Sequence, residues 1–135
     1  MRFTRITIIR ERKPEKININ ELLQWFGGTL GLFSQRDKDR SCFRVFIVLL
    51  KDIKTNKRGL SSDEIADLTA LTRGTVVHHL NRLMEAGLVS VERNKYMLKV
   101  DNLSELVDTI KKEVDNAFIQ LKDVGEKLDV LLGLK

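Results

Sequence analysis

The chain has 135 residues, 42% hydrophobic and 32% charged, which fits one globular domain with an appendage and excludes a disordered chain. The longest apolar run, Val45–Leu50, is far short of the roughly 20 residues that a transmembrane helix needs, and the N-terminus lacks the features of a signal peptide. The single cysteine, Cys42, excludes an internal disulfide and agrees with a reducing compartment. We therefore expect a cytoplasmic protein without a membrane partner.

The net charge of +5 is distributed unevenly along the chain. Only five of the 24 basic residues but seven of the 19 acidic residues follow Asp101. The body of the protein is therefore basic and its tail mildly acidic. A basic body favours a polyanionic partner, with nucleic acid ahead of an anionic membrane, although many enzymes are basic as well.

The N-terminal part predicts a strand followed by a helix. Residues 2–10 are rich in Thr and Ile, which is typical of a strand. Residues 17–33 have a broad apolar face, and Asn18 or Asn20 can cap a helix there. The two glycines at 27–28 weaken the middle of that helix by about 1 kcal/mol each relative to alanine, which suggests a kink or a close helix contact.

The central segment begins with a strongly apolar helix over residues 41–54 and a turn over 55–59. Ser61 and Glu64 have the spacing of a capping box, which predicts a short helix over residues 62–69. Two apolar residues of this short helix are expected to face inward: Ile65 and Leu68.

A tight connection over residues 69–71 leads to Thr72, which can cap a helix over residues 73–86. Gly87 follows at the position where glycine commonly ends a helix. Residues 88–100 then predict a β-hairpin. Its two strands are joined at Arg93, Asn94 and Lys95.

The tail carries apolar residues at alternating steps of three and four, which is a heptad seam long enough for a helix of about 45 Å. A long helix with a narrow seam needs a partner. Either it packs on its own domain, or it pairs across a homodimer, or it contacts the N-terminal helices of the other subunit. The seam comprises Leu103, Val107, Ile110, Val114, Ala117, Leu121, Val124, Leu128 and Leu131.

Helix, tight turn, helix and hairpin is the order of a winged helix-turn-helix. Residues 40–100 resemble the winged-helix domains of prokaryotic transcriptional regulators of the ArsR/MarR type, through the capped short helix, the stretch LTRGTVVHHLNRL, the exit EAGLV and the polar wing tip. The resemblance implies a mainly α (α+β) fold with N-terminal and long C-terminal dimerisation helices. It divides the chain into a supporting segment (1–35), a DNA-binding domain (36–101) and a dimerisation helix (102–135).

Helical periodicity gives the second helix of the motif a buried face and a polar face. Val76, Leu80 and Leu83 cluster on one side and are expected in the core. The opposite side carries Gly74, His78, Asn81 and Glu85, flanked by Thr75 and Arg82. We therefore predict a homodimeric, sequence-specific regulator of transcription that binds double-stranded DNA. Residues 73–86 would lie in the major groove and the wing, 88–100, on the adjacent backbone or minor groove.

Chemistry and position assign roles to these residues. The candidates for base edges are Arg73, Thr75, His78 and Asn81, with Val77 either on a thymine methyl or partly buried. The candidates for contacts with the DNA backbone or minor groove are Ser61, Ser62, Thr72, Gly74, Arg82, Arg93, Asn94 and Lys95. Glu85 and Glu92 would lie close to DNA, so we expect them to pair with neighbouring basic residues.

Other chemistry finds less support. His78 and His79 are neighbours on a helix and point about 100° apart, so they do not form a metal pair, and we expect His79 partly buried. Residues 63–69 lack the cysteine pair through which many ArsR-type regulators sense metals. We predict no cofactor, no metal and no enzyme, although a metal site assembled across a dimer and a redox role for Cys42 stay open. The other functional class is a winged helix that binds proteins within transcription or RNA-processing machinery.

Overall fold

A computed structural model describes residues 5–32, 40–55 and 58–135. The start of the predicted N-terminal strand, the end of the predicted helix 17–33 and the middle of the predicted turn 55–59 lie outside these ranges. In chain order the elements are α1 (Ile19–Thr29), α2 (Ser41–Thr55), α3 (Ser62–Thr69), α4 (Arg73–Glu85), β1 (Val89–Glu92), β2 (Lys95–Leu98) and α5 (Leu103–Leu131).

Helix α2 lies at the centre of the molecule and packs against α3, α4 and β2. Its side chains Val45, Phe46 and Leu49 are fully buried. Removing side chains of this size from water stabilises a fold by about 1.5–3 kcal/mol each. The predicted core helix is confirmed, and it is the surface on which the other elements of the domain are assembled.

Helices α3 and α4 form the helix-turn-helix. Ser61 accepts from the backbone N–H of Glu64 while Glu64 accepts from that of Ser61, so the predicted capping box is present. Ala70 ends α3 in the left-handed conformation, with φ at 57°. Thr72 then caps α4 by accepting from the N–H of Thr75. The guanidinium of Arg44 donates to the carbonyl of Thr69, which fixes the turn to α2.

The prediction that Leu68 faces inward is wrong, because 64% of this residue is exposed. Ile65, Ala66 and Thr69 are the buried residues of α3. At 100° per residue these three residues share one face, and Leu68 lies about 100° from its centre. A short helix that contacts the core along one line buries only that face.

Helix α4 ends as its sequence predicts. Gly87 takes a φ of 76°, its N–H bonds the carbonyl of Met84, and the N–H of Leu88 bonds that of Leu83, which together form a Schellman motif. The antiparallel strands β1 and β2 follow, with Glu92 opposite Lys95.

The turn of the hairpin is one residue shorter than predicted. Arg93 and Asn94 both have positive φ, as a two-residue type I′ turn requires, so Lys95 belongs to β2 and not to the turn. Such turns match the right-handed twist of the strands that they join. The wing is therefore compact, and only two residues form its tip.

A third segment that the sequence did not predict joins the wing. Leu60 forms an antiparallel bridge with Tyr96 through two backbone hydrogen bonds of 2.9 and 2.7 Å. The buried carboxylate of Asp52 accepts from the N–H of Gly59 at 3.0 Å and holds the chain at this point. The bridge ties the wing to the start of the helix-turn-helix.

The N-terminal segment differs most from its prediction. Residues 5–10 lie outside any strand, so the predicted strand is wrong over its described part. The N–H of Ile9 instead bonds the carbonyl of Thr29. Asn18 caps α1 as predicted, but the helix ends at Thr29, which places the two glycines in its last turn and not in its middle.

Helix α5 follows its N-cap Asn102 and extends for 29 residues, or about 43 Å. Leu106 and Ile110 are buried in the domain core, and Leu103 and Val114 pack against it. From Asp115 to Lys135, all of which the structure describes, no side chain is buried. The helix therefore has a proximal half packed on its own domain and a distal half exposed to solvent.

The left-handed Ala70 predicts a stabilising substitution. Ala70→Gly should raise the free energy of unfolding by about 1 kcal/mol, because glycine adopts this conformation without the steric cost that a Cβ imposes. Ala86→Gly is the matched control, since Ala86 caps α4 at a φ of −75° and has no such cost to relieve. Urea denaturation measures both, and a loss of stability in Ala70→Gly would contradict the prediction.

Candidate nucleic-acid interface

The buried residues of α4 determine which of its side chains face solvent. Val76, Leu80 and Leu83 are buried in the core, as predicted. On the opposite side Gly74, His78, Asn81, Arg82 and Glu85 are exposed. Rotating the helix to hide these groups would expose three core side chains, so the polar face is held toward solvent by the core itself. Val77 is half-buried on the flank.

The two adjacent histidines have different surroundings. His79 is only 6% exposed, and its Nε2 lies 2.6 Å from the hydroxyl oxygen of Ser41 at the start of α2. His78 is exposed, and the two rings are tilted with centroids 5.4 Å apart. His79 is thus buried more deeply than the partial burial predicted, and it ties α4 to α2. His78 stays available to a ligand.

The N-terminus of α4 meets the N-terminus of α3. The Nε atom of Arg73 lies 3.4 Å from the hydroxyl of Ser62 and 3.5 Å from the carboxylate of Asp63. Both partners of the ion pair are mostly exposed, so the pair is weak and can exchange with a stronger acceptor. The hydroxyl of Thr72 donates to that of Thr75 at 2.9 Å. The predicted contacts Ser62 and Arg73 therefore lie on one surface.

The wing is held against α3 by an ion pair. The Nζ atom of Lys95 lies 2.6 Å from Oε1 of Glu64, an oxygen that also caps α3. The hydrogen bond from Lys95 is the largest cause that lowers the pKa of Glu64 from 4.5 to about 2, followed by the hydrogen bonds with Ser61. Arg93 and Asn94 at the tip are exposed.

These contacts bring together most of the predicted interface. Ser62, Thr72 and Arg73 lie close to one another, and Lys95 is joined to the same α3 terminus through Glu64. Glu92 was expected to pair with a neighbouring basic residue. Lys95 stands opposite Glu92 in the hairpin, but it forms its ion pair with Glu64. The assignment of individual residues to bases or phosphates stays a prediction.

Sequence reasoning missed the residues that position the interface. Glu64 was recognised as a cap, but its second contact with Lys95 lies 31 residues away along the chain. Asp63 and Ser41 gave no local signal. Only the fold brings such pairs together, because neither periodicity nor capping patterns report which distant side chains meet.

Other sites are sparse within the ranges 5–32, 40–55 and 58–135. No group of three or more His, Cys, Asp and Glu residues there is placed to hold a metal ion. Cys42 is buried, with 1% of the residue exposed. No described helix is long and apolar enough to cross a membrane.

A capped short helix, a tight turn, a second helix with an exposed polar face and a two-stranded wing define a winged helix-turn-helix protein. Residues 55–91 match the model of a family described as "Bacterial regulatory protein, arsR family". This match supports a regulator of the ArsR type that binds double-stranded DNA. The curated proteins and the solved structures contain no match to the chain.

The contact between Glu64 and Lys95 predicts a pH-dependent loss of stability. Glu64→Gln keeps a capping side chain but removes the charge, so the variant should be less stable than the native chain at pH 7. Because the pKa of Glu64 is lower in the folded chain, its contribution is complete above about pH 4.5 and is lost as the pH falls toward about 2. The difference between the two chains should shrink over that range.

Thermal denaturation from pH 7 to pH 2.5 measures this difference. Glu92→Gln is the matched control, since it removes the same charge from the wing without touching the α3 cap. A stability difference for Glu64→Gln that does not change with pH would assign the effect to lost packing instead of charge.

Proposed function

We propose that the protein is a homodimeric, sequence-specific transcriptional regulator that acts on double-stranded DNA in the cytoplasm. The recognition helix, 73–86, would enter the major groove, and the wing, 88–100, would contact the adjacent backbone or minor groove. The observation that carries this proposal is the exposed polar face of α4 above a fully buried Val76, Leu80 and Leu83.

The outer face of α4 offers the groups that read base edges. Arg73 suits the two acceptors of guanine, and Asn81 suits the donor and acceptor of adenine. His78 and Thr75 can donate or accept. A Cβ added at Gly74 would meet nothing within 4 Å, which leaves space for a phosphate beside the N-terminus of α4.

Basic residues at the margins of this face supply contacts with phosphates. Arg82 lies beside the face on α4, and Arg93 extends from the wing tip. Lys95 pairs with Glu64 of α3 and keeps 48% of its side chain exposed. Such contacts fix the register of a protein on DNA without reading its sequence.

The distal half of α5 supports the dimer. Four seam residues stay at least 48% exposed, and exposed apolar surfaces of this extent mark interaction sites. They are Leu121, Val124, Leu128 and Leu131. A second copy brings the same surface, and most oligomers of soluble proteins pair identical surfaces around a two-fold axis.

The other candidate function is a winged helix that binds a protein partner. The carboxylates Asp63 and Glu64 lie beside the recognition helix and partly neutralise Arg73 and Lys95. DNA binding at low salt separates the two functions, because a protein-interaction module does not need to bind a duplex.

Two arginine substitutions test the DNA contacts. Arg73→Ala should weaken binding to the preferred duplex by about 1–3 kcal/mol and relax specificity at one base pair. Arg93→Ala should weaken binding to preferred and random duplexes alike. It should also reduce the slope of log affinity against log salt concentration by about one. The duplexes are those enriched from a random library by the native chain, and fluorescence anisotropy from 50 to 200 mM salt gives the affinities.

An equal loss for both duplexes in Arg73→Ala would make Arg73 a phosphate contact. Asp67→Ala, on the exposed side of α3, is a control that should change neither affinity nor salt slope. Absence of any duplex binding at 50 mM salt would exclude the regulator and favour the protein-interaction module.

Truncation tests the dimer. A stop after Asp101 would remove Leu106 and Ile110 from the core and unfold the domain. A stop after Asp115 removes no buried residue, so the shortened chain should fold and sediment as a monomer. Its circular dichroism should match that expected for the helices that remain. A folded, truncated chain that still dimerises would place the interface on the N-terminal helices.

A further inference from the structure

An apolar groove lies between the N-terminal segment and the proximal half of α5. Its volume is about 340 Å³. One wall is formed by Ile8, Trp25 and Phe26, and the other by Val107, Ile110 and Val114 of the seam. The groove therefore continues directly into the exposed seam of the distal half, which begins at Ala117.

We infer that the distal half of α5 from a second copy fills this groove in an antiparallel arrangement, an inference that rests on the proposed homodimer. Around a two-fold axis the contact is reciprocal, so each copy fills the other's groove and both exposed seams are covered. No further partner is needed to bury either apolar surface.

The spacing of the seam fixes the register. When Val107 faces the partner's Leu131, the next layers follow without a mismatch: every facing pair is apolar. These layers are Ile110 with the partner's Leu128, Val114 with the partner's Val124, and Ala117 with the partner's Leu121. The whole groove wall of α5 and the whole distal seam are then covered.

Charge supports the same register. Glu113 and Lys127 lie on the same edge of the seam, and in this register Glu113 of each copy faces Lys127 of the other. The dimer therefore contains two such pairs, one on each side of the two-fold axis. Lys127 pairs with Asp123 within its own helix, at 3.0 Å and largely exposed, so it can reach a second carboxylate. Opposite charges on the edges of paired helices set partner orientation.

Neighbouring registers and the parallel arrangement fit less well. Moving the pair by one heptad in one direction leaves Val107 and Ile110 uncovered, and in the other it leaves Leu131 uncovered. In both cases Glu113 and Lys127 face uncharged residues. A parallel pair brings Glu113 against Phe118 and Lys127 against Leu132, which buries charges beside apolar side chains.

Nothing within a single copy requires a glycine at position 125. It lies inside α5, where glycine is unfavourable, and a Cβ there would meet nothing within 4 Å. In the antiparallel register Gly125 faces the stem of the partner's Lys111, so the glycine leaves room for a long side chain beside the seam.

Disulfide trapping tests the register. The double variant Val114→Cys, Val124→Cys should form cross-linked dimers under mild oxidation, because these residues face each other between copies. Within one helix they lie about 15 Å apart, too far for a disulfide whose Cα atoms must come within about 7 Å. Each single variant should stay uncross-linked, and the native chain, whose one cysteine is buried, is the background control.

Cross-linking of Val124→Cys alone would show a parallel pair and overturn the inference. A double variant that dimerises but does not cross-link would overturn the register and leave the groove to another occupant, such as a small apolar molecule. A native chain that sediments as a monomer up to high micromolar concentration would instead refute the proposed homodimer, so the two failures are distinguishable.

Charge reversal provides a second arm that needs no cysteine. Glu113→Lys and Lys127→Glu should each weaken the dimer roughly two- to thirtyfold, and the double reversal should restore most of the affinity. Lys112→Glu, on the opposite face of α5, is the matched control and should change the dissociation constant little. Losses that add in the double variant would contradict the pairing of Glu113 with Lys127.

Discussion

The packing of α4 on α2 is the interaction on which the rest of the molecule depends. Phe46 and Leu49 from α2 and Val76 and Leu80 from α4 are all fully buried in one cluster. Interiors of proteins are close-packed, so this contact permits one rotation of α4 about its axis. The rotation decides that His78 faces solvent and His79 faces α2. The chemistry of the polar face is therefore a consequence of core packing.

Polar contacts then hold the parts of the interface relative to that helix. Arg44 fixes the turn before α4, the bond between Ser41 and His79 fixes its middle, and Glu64 fixes the wing through Lys95. Each contact joins two different elements and brings together residues that are far apart along the chain. The result is a surface in which α4 and the wing are held relative to each other before any partner binds.

The sequence predicted what is local and missed what is distant. The capping box at Ser61, the cap at Thr72 and the stop at Gly87 depend on residues within one or two helical turns, and all three are confirmed. The predicted strand is wrong over its described part, residues 5–10, because β-rich composition forms a strand only where a partner edge exists, and Thr29 offers a single carbonyl. The bridge between Leu60 and Tyr96 depends on tertiary structure and leaves no periodic pattern.

The seam of α5 shows the same limit in another form. Its heptad pattern runs without a break from Leu103 to Leu131, yet the structure divides it at about Asp115. The proximal half contributes both to the domain core, through Leu106 and Ile110, and to the wall of the groove. Leu106 lies outside the nine-residue seam, because the proximal half must contact its own domain on one side and the groove on the other. A helix with two adjacent apolar surfaces would couple domain folding to the proposed pairing, because the groove exists only once the domain has folded.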